Sequence, residues 1–79
     1  MCPTIFRYKG YRFFFFSKEE RRMHVHIASS DGEAKFWIAP MVALADYSGL
    51  SKRALKELEK VVKEHAKEIE KAWKEHFSR

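Results

Sequence analysis

Between Met23 and Ile38 the chain alternates apolar and polar residues with period two. Met23-His24-Val25-His26-Ile27 runs up to Asp31-Gly32, and Ala34-Lys35-Phe36-Trp37-Ile38 returns. Alternate residues of a strand share a face, and Asp-Gly between two such runs signals a hairpin turn. A two-residue turn at Asp31-Gly32 pairs Ile27 with Phe36, Val25 with Ile38, His26 with Trp37 and Ala28 with Lys35. One face is then Val25, Ile27, Phe36 and Ile38, a core face; the other is His24, His26, Lys35 and Trp37.

Upstream, Ile5-Phe6-Arg7-Tyr8 and Tyr11 to Phe16 flank Lys9-Gly10 and read as another hairpin. A two-residue turn there sets Arg7 opposite Arg12, a like-charge pair that costs stability. A three-residue loop with Gly10 left-handed avoids the clash and is the expectation. Pro40 to Gly49 reads as a fifth, edge strand. Beyond Gly49 come no glycine and no proline. Ser51 is placed to cap a helix, with Leu50 and Leu55 as its hydrophobic staple. From Leu55 to Phe77 the apolar residues follow a helical stripe, with a row of lysines from Lys56 to Lys74 opposite. Glu57, Glu64, Glu68 and Glu75 run beside those lysines, so a solvated, salt-bridged face is expected. The fold class is α+β in one domain, residues 1–79. A four- or five-stranded antiparallel sheet from two hairpins (4–48) carries one long C-terminal amphipathic helix (51–77) packed on one face. At about 40 Å an unbroken helix overhangs such short strands, so a bend or a second short helix near His65 is the alternative.

At 79 residues this leaves a modest core. Cys2 is the single cysteine, which excludes an internal disulfide and a cysteine-based zinc site. Phe13 to Phe16, the most apolar run, is far shorter than the ~20 residues that cross a bilayer, so no membrane is expected and the reading is a cytoplasmic protein. One helix covers one sheet face, while four consecutive phenylalanines place rings on both. The second face is therefore expected to meet a partner protein, or to remain an exposed aromatic surface.

The net charge of +5 favours polyanions or an acidic protein as partners. The candidate binding residues are Arg7, Tyr11, Arg12, His24, His26, Lys35 and Trp37. Aromatics mixed with cations on a sheet hold single strands, rings stacking on bases and cations meeting phosphates. His24, His26 and Lys35 are also the candidate catalytic residues of a metal-independent ribonuclease. One imidazole would take the 2′-hydroxyl proton, the other would protonate the leaving oxygen, and the lysine would offset charge. The same histidines could instead pack on Trp37. Two histidines without a third ligand do not make a strong metal site, so neither metal nor other cofactor is expected. The interhairpin residues Glu19, Glu20, Arg21 and Arg22 read as a solvated loop.

Several pieces, in order, resemble a family of short bacterial proteins known as domain of unknown function 4160. They are Pro3-Thr4-Ile5, Gly10 followed by an aromatic strand, His24-Val25-His26, the Gly49-Leu50-Ser51 helix start, and His65 then Trp73. Many members have prolines just before the paired histidines, where this chain has Arg21-Arg22-Met23. The resemblance implies a role in a toxin–antitoxin-like pair, encoded beside another small protein. The expected function is an interaction module binding a protein and nucleic acid, RNA or DNA, through the His24/His26/Trp37 face. A ribonuclease toxin and a purely structural subunit are the alternatives. The protein partner is a cognate small protein or a second copy, as a homodimer.

Overall fold

A computed structural model describes residues 4–16 and 22–77 of the chain. Cys2 and the loop residues Glu19, Glu20 and Arg21 lie outside the described residues. Five strands, β1 (Thr4–Tyr8), β2 (Tyr11–Phe14), β3 (His24–Ala28), β4 (Glu33–Trp37) and β5 (Ala43–Ser48), form one antiparallel sheet in chain order. Two helices follow, α1 (Lys52–Glu64) and α2 (Ala66–Phe77), so the chain takes the broken form at His65 and not the single long helix. The Ser51 side chain caps α1, accepting from the Ala54 N–H at 3.1 Å.

The core lies between sheet and helices. Phe13 and Phe15, Val25 and Ile27, and Phe36 and Ile38 are buried, and Leu55, Leu58, Val62, Ile69 and Trp73 meet them from the helices. The core face of the central hairpin is thus the expected one. Its register differs by two residues: His24 pairs with Trp37, Val25 with Phe36, His26 with Lys35 and Ile27 with Ala34. The turn lies one residue earlier, bending at Ser30 and Asp31. The Ser29 N–H donates to the Gly32 carbonyl (2.9 Å), and the Asp31 N–H donates to Ser29 Oγ (3.2 Å). A two-residue shift leaves every side chain on its face, which is why the pattern survived the error in pairing.

Tertiary packing fixes that turn. A Cβ on Gly32 would sit 2.2 Å from the Ser48 carbonyl oxygen, and one on Gly49 (φ +80°) would sit 2.6 Å from the Asp31 oxygen. The β3–β4 turn therefore presses its bare backbone against the end of β5, where no other residue fits.

The first hairpin takes the two-residue turn that like-charge repulsion argued against. Tyr8 pairs with Tyr11 and Arg7 with Arg12, and the left-handed residue is Lys9 (φ +50°) rather than Gly10. Arg12 and the turn residue Lys9 each find partners of their own. Arg12 turns along its own strand, its Nε donating to Thr4 Oγ1 at 2.7 Å and its guanidinium lying 4.5 Å from the Phe14 ring centroid. Lys9 reaches α1, where its ammonium meets Glu57 Oε2 at 2.8 Å beside the Tyr8 hydroxyl, which donates to the same oxygen at 2.7 Å.

The helix divides at His65 (φ −107°, ψ 14°), yet hydrogen bonds run through the junction. The His65 N–H donates to the Val61 carbonyl (3.0 Å), and the His65 carbonyl accepts from Ile69 (2.9 Å). At this joint the His65 ring lies 4.5 Å from Phe6 of β1, while Nδ1 donates to Glu68 Oε1 at 2.8 Å. Among the described residues no helix is long and apolar enough to cross a membrane.

The Tyr8–Lys9–Glu57 cluster makes stability depend on pH. Hydrogen bonds from Lys9, then Tyr8, hold the Glu57 carboxyl below the usual glutamate value, and the bond to Glu57 raises both Lys9 and Tyr8. A lowered folded pKa gives stability that is present above the unfolded value and lost as pH falls through the folded one. The raised groups lose theirs as pH climbs through their folded values. Glu57→Gln should therefore lower the melting temperature at neutral pH. The deficit should close as pH falls below about 4.5, where wild-type Glu57 protonates too; thermal melts from pH 3 to 7 measure this.

Candidate functional site

The face of the sheet away from the helices carries the chemistry. Strand alternation and the observed register place Arg7 and Arg12, Phe14, His24 and His26, Lys35 and Trp37, and Asp46 on this one side. Of the residues singled out in the sequence, Tyr11 falls on the opposite face, packed against the core beside Phe13. Arg7 stays exposed at the β1 edge, across from Arg12.

Rings form a continuous band across the middle of this face. Phe14 stacks on His26 (centroids 5.7 Å apart, planes at 27°), and Phe16 meets His26 edge-on at 4.3 Å. His26 in turn contacts His24 at 4.9 Å, and His24 contacts Trp37 at 5.9 Å. Cations lie on the outermost rings. Arg12 covers Phe14, while Trp37 has the Arg22 guanidinium at 4.4 Å and the Lys35 ammonium at 4.6 Å from its centroid. Arg22 is fixed further by donating from Nε to the Ala39 carbonyl at 3.0 Å.

These contacts answer the question of what covers the second face. Phe14 is buried and Trp37 half-buried within a single chain, their rings shielded by the protein's own cations. Such pairs are each worth about 0.5–1 kcal/mol at exposed sites. Phe16, 47% exposed, is the large apolar side chain left open on this face, and Met41, Leu44 and Tyr47 are exposed around β5.

The two strand histidines are unequal. His24 is only 2% exposed: its Nδ1 donates to the Arg22 carbonyl at 2.8 Å, and Trp73 of α2 packs against the ring at 5.0 Å. It ties the open face to the helix side, because Trp73 also meets Phe15 at 5.4 Å. His26 is half-buried and borders solvent. Among the described residues, no three His, Cys, Asp or Glu side chains converge as a metal-binding group.

Sequence reasoning passed over Arg22 as a binding-face residue, and it assigned Phe14 and Phe16, with Trp37, to a protein contact in the structural-subunit alternative and not to nucleic acid. Period two continued backwards from His24 reaches Arg22, and continued forwards from Arg12 reaches both rings. Helix lysines do pair one turn along their own helices, but with acids outside the expected row: Lys63 with Glu59 at 3.3 Å and Lys74 with Glu70 at 3.1 Å, while Glu57 goes to Lys9 and Glu68 to His65.

The fold and this face define a small α+β sheet-and-helix domain whose open side is an aromatic band overlaid with cations. Residues 10–74 match the family described as domain of unknown function (DUF4160), and the chain belongs to that family. No curated protein and no solved structure matches the chain.

The unequal histidines give a direct check. His24→Ala should cost about 2–3 kcal/mol, since it opens a hole between two tryptophans and strands the Arg22 carbonyl. His26→Ala, at the solvent boundary, should cost under about 1 kcal/mol. Urea unfolding of the two variants reports both values.

Proposed function

We propose that the protein is an interaction module of a toxin–antitoxin-like pair that holds a single strand of nucleic acid on its helix-free sheet face. The observation that carries this reading is the pairing of cations with rings there: Arg12 on Phe14, and Arg22 and Lys35 on Trp37. A cation held against a ring keeps its charge on this face for a phosphate, while its alkyl stem and the neighbouring ring present apolar area to a base. Rings and cations share this face within a few ångströms of one another, as bases and phosphates do along a strand.

The setting in a gene pair is carried over from the family. A cognate small protein would find an unpaired strand edge at β5, with Met41, Leu44 and Tyr47 exposed beside it. Such a module works in the cytoplasm. Binding is favoured over cleavage, because the two-histidine scheme for this face needs both imidazoles within reach of one phosphate. His24 is buried with Nδ1 engaged, which leaves His26 alone at the surface.

Mobility shifts with a short single-stranded RNA at two salt concentrations test the reading. Affinity should fall steeply with salt, because each phosphate contact releases counterions. Arg12→Ala and Lys35→Ala should each flatten the salt slope by about one unit, and Trp37→Ala should cost about 1–3 kcal/mol. His26→Ala should weaken binding modestly. Cleavage of the RNA that His26→Ala abolishes while binding persists would turn the reading to a ribonuclease. No binding at low salt would end the nucleic-acid reading.

A further inference from the structure

Where β3, β4 and β5 meet, the helix-free face sinks into a hollow of about 160 Å³. Phe16 and His26 line it on one side, and Lys35, Asp46 and Tyr47 line it on the other. We propose that this hollow recognises one unpaired guanine base of the bound strand, an inference that rests on the nucleic-acid reading of the face.

Size comes first. Pockets for drug-sized ligands run to roughly 300–1,000 Å³, so this hollow suits one planar ring system and excludes a folded ligand. The lining comes second. Phe16 is about half exposed and lies against His26, a platform of the kind on which unstacked bases rest.

The polar groups decide which base. Lys35 and Asp46 are cross-strand partners and both line the hollow, so a lysine and an aspartate side chain leave the sheet next to each other on this face. The Asp46 carboxylate is oriented by the Tyr47 N–H, which donates to Oδ1 at 2.8 Å and occupies one of roughly four lone-pair sites. Guanine presents O6, N1–H and the N2 amine in a row: one acceptor, then two adjacent donors. The lysine donates to O6, and the carboxylate accepts from both nitrogens. Adenine, cytosine and uracil each set a lone pair where one of those donors must be, so the carboxylate repels them. Lys35 supplies this hydrogen bond from one of three N–H groups while its ammonium remains over Trp37.

The test uses the full-length protein and fluorescence anisotropy with oligouridylates that differ only at one central position. Guanosine there should bind roughly tenfold tighter than uridine, as for a bidentate base contact. Inosine, which lacks the N2 amine, should fall between them on the wild-type protein. Asp46→Asn should bring the guanosine-to-uridine ratio close to one, and the ratio cancels any uniform change in affinity. The same preference in the deoxy oligonucleotides would support the guanine pocket and extend its source to single-stranded DNA. Equal binding of all three RNAs would overturn the pocket while leaving the nucleic-acid face standing. Free GMP binding as tightly as the guanosine-containing strand would overturn it in favour of a nucleotide site. No binding of any strand at low salt would remove the face and the pocket together.

Discussion

A sheet has two faces, and in this chain every helix comes from one end and lies against one of them. Everything else in the structure responds to the face left over. An uncovered sheet with phenylalanines on both sides would expose a large apolar area and invite aggregation. Here Arg12, Arg22 and Lys35 are laid onto Phe14 and Trp37 instead. The cations hide ring surface and keep the face charged, so the same contacts that solve a folding problem leave a surface matched to polyanions.

The second consequence is the kink at His65. A straight helix from Lys52 to Phe77 would run well past strands of four to six residues. Bending where His65 meets Phe6 brings α2 back, so that Trp73 closes over Phe15 and His24. His24 thereby touches Trp73 on the helix side and Trp37 on the open side. The core and the helix-free face share this buried imidazole.

How much of this could be read from the residues follows from what each feature depends on. Faces depend on local alternation, so Val25, Ile27, Phe36 and Ile38 were legible, as were the Ser51 cap and the edge position of β5. Pairing in the β3–β4 hairpin depends on the turn, and that turn is set by Gly32 packing on Ser48 and Gly49, a contact invisible in local sequence. The first hairpin was misjudged because repulsion between Arg7 and Arg12 was weighed without the partners that Arg12 and Lys9 find, Thr4, Phe14 and Glu57. Tyr11 was placed with the arginine beside it in sequence, although neighbours along a strand point to opposite faces. The unequal burial of His24 and His26 depends on where Trp73 lands, which only the kink determines.

Two sets of cations compete for the role of functional surface. Those on the helices are partnered one turn away, as in Lys63 with Glu59 and Lys74 with Glu70, which suits a solvated face. Those on the sheet are mounted on rings. Amide and indole chemical shifts followed by NMR during titration with a short single-stranded RNA separate the two directly. The account predicts shifts at Arg12, His26, Lys35 and the Trp37 indole, with the row from Lys56 to Lys74 unmoved. Shifts confined to that lysine row, with the sheet face silent, would contradict it.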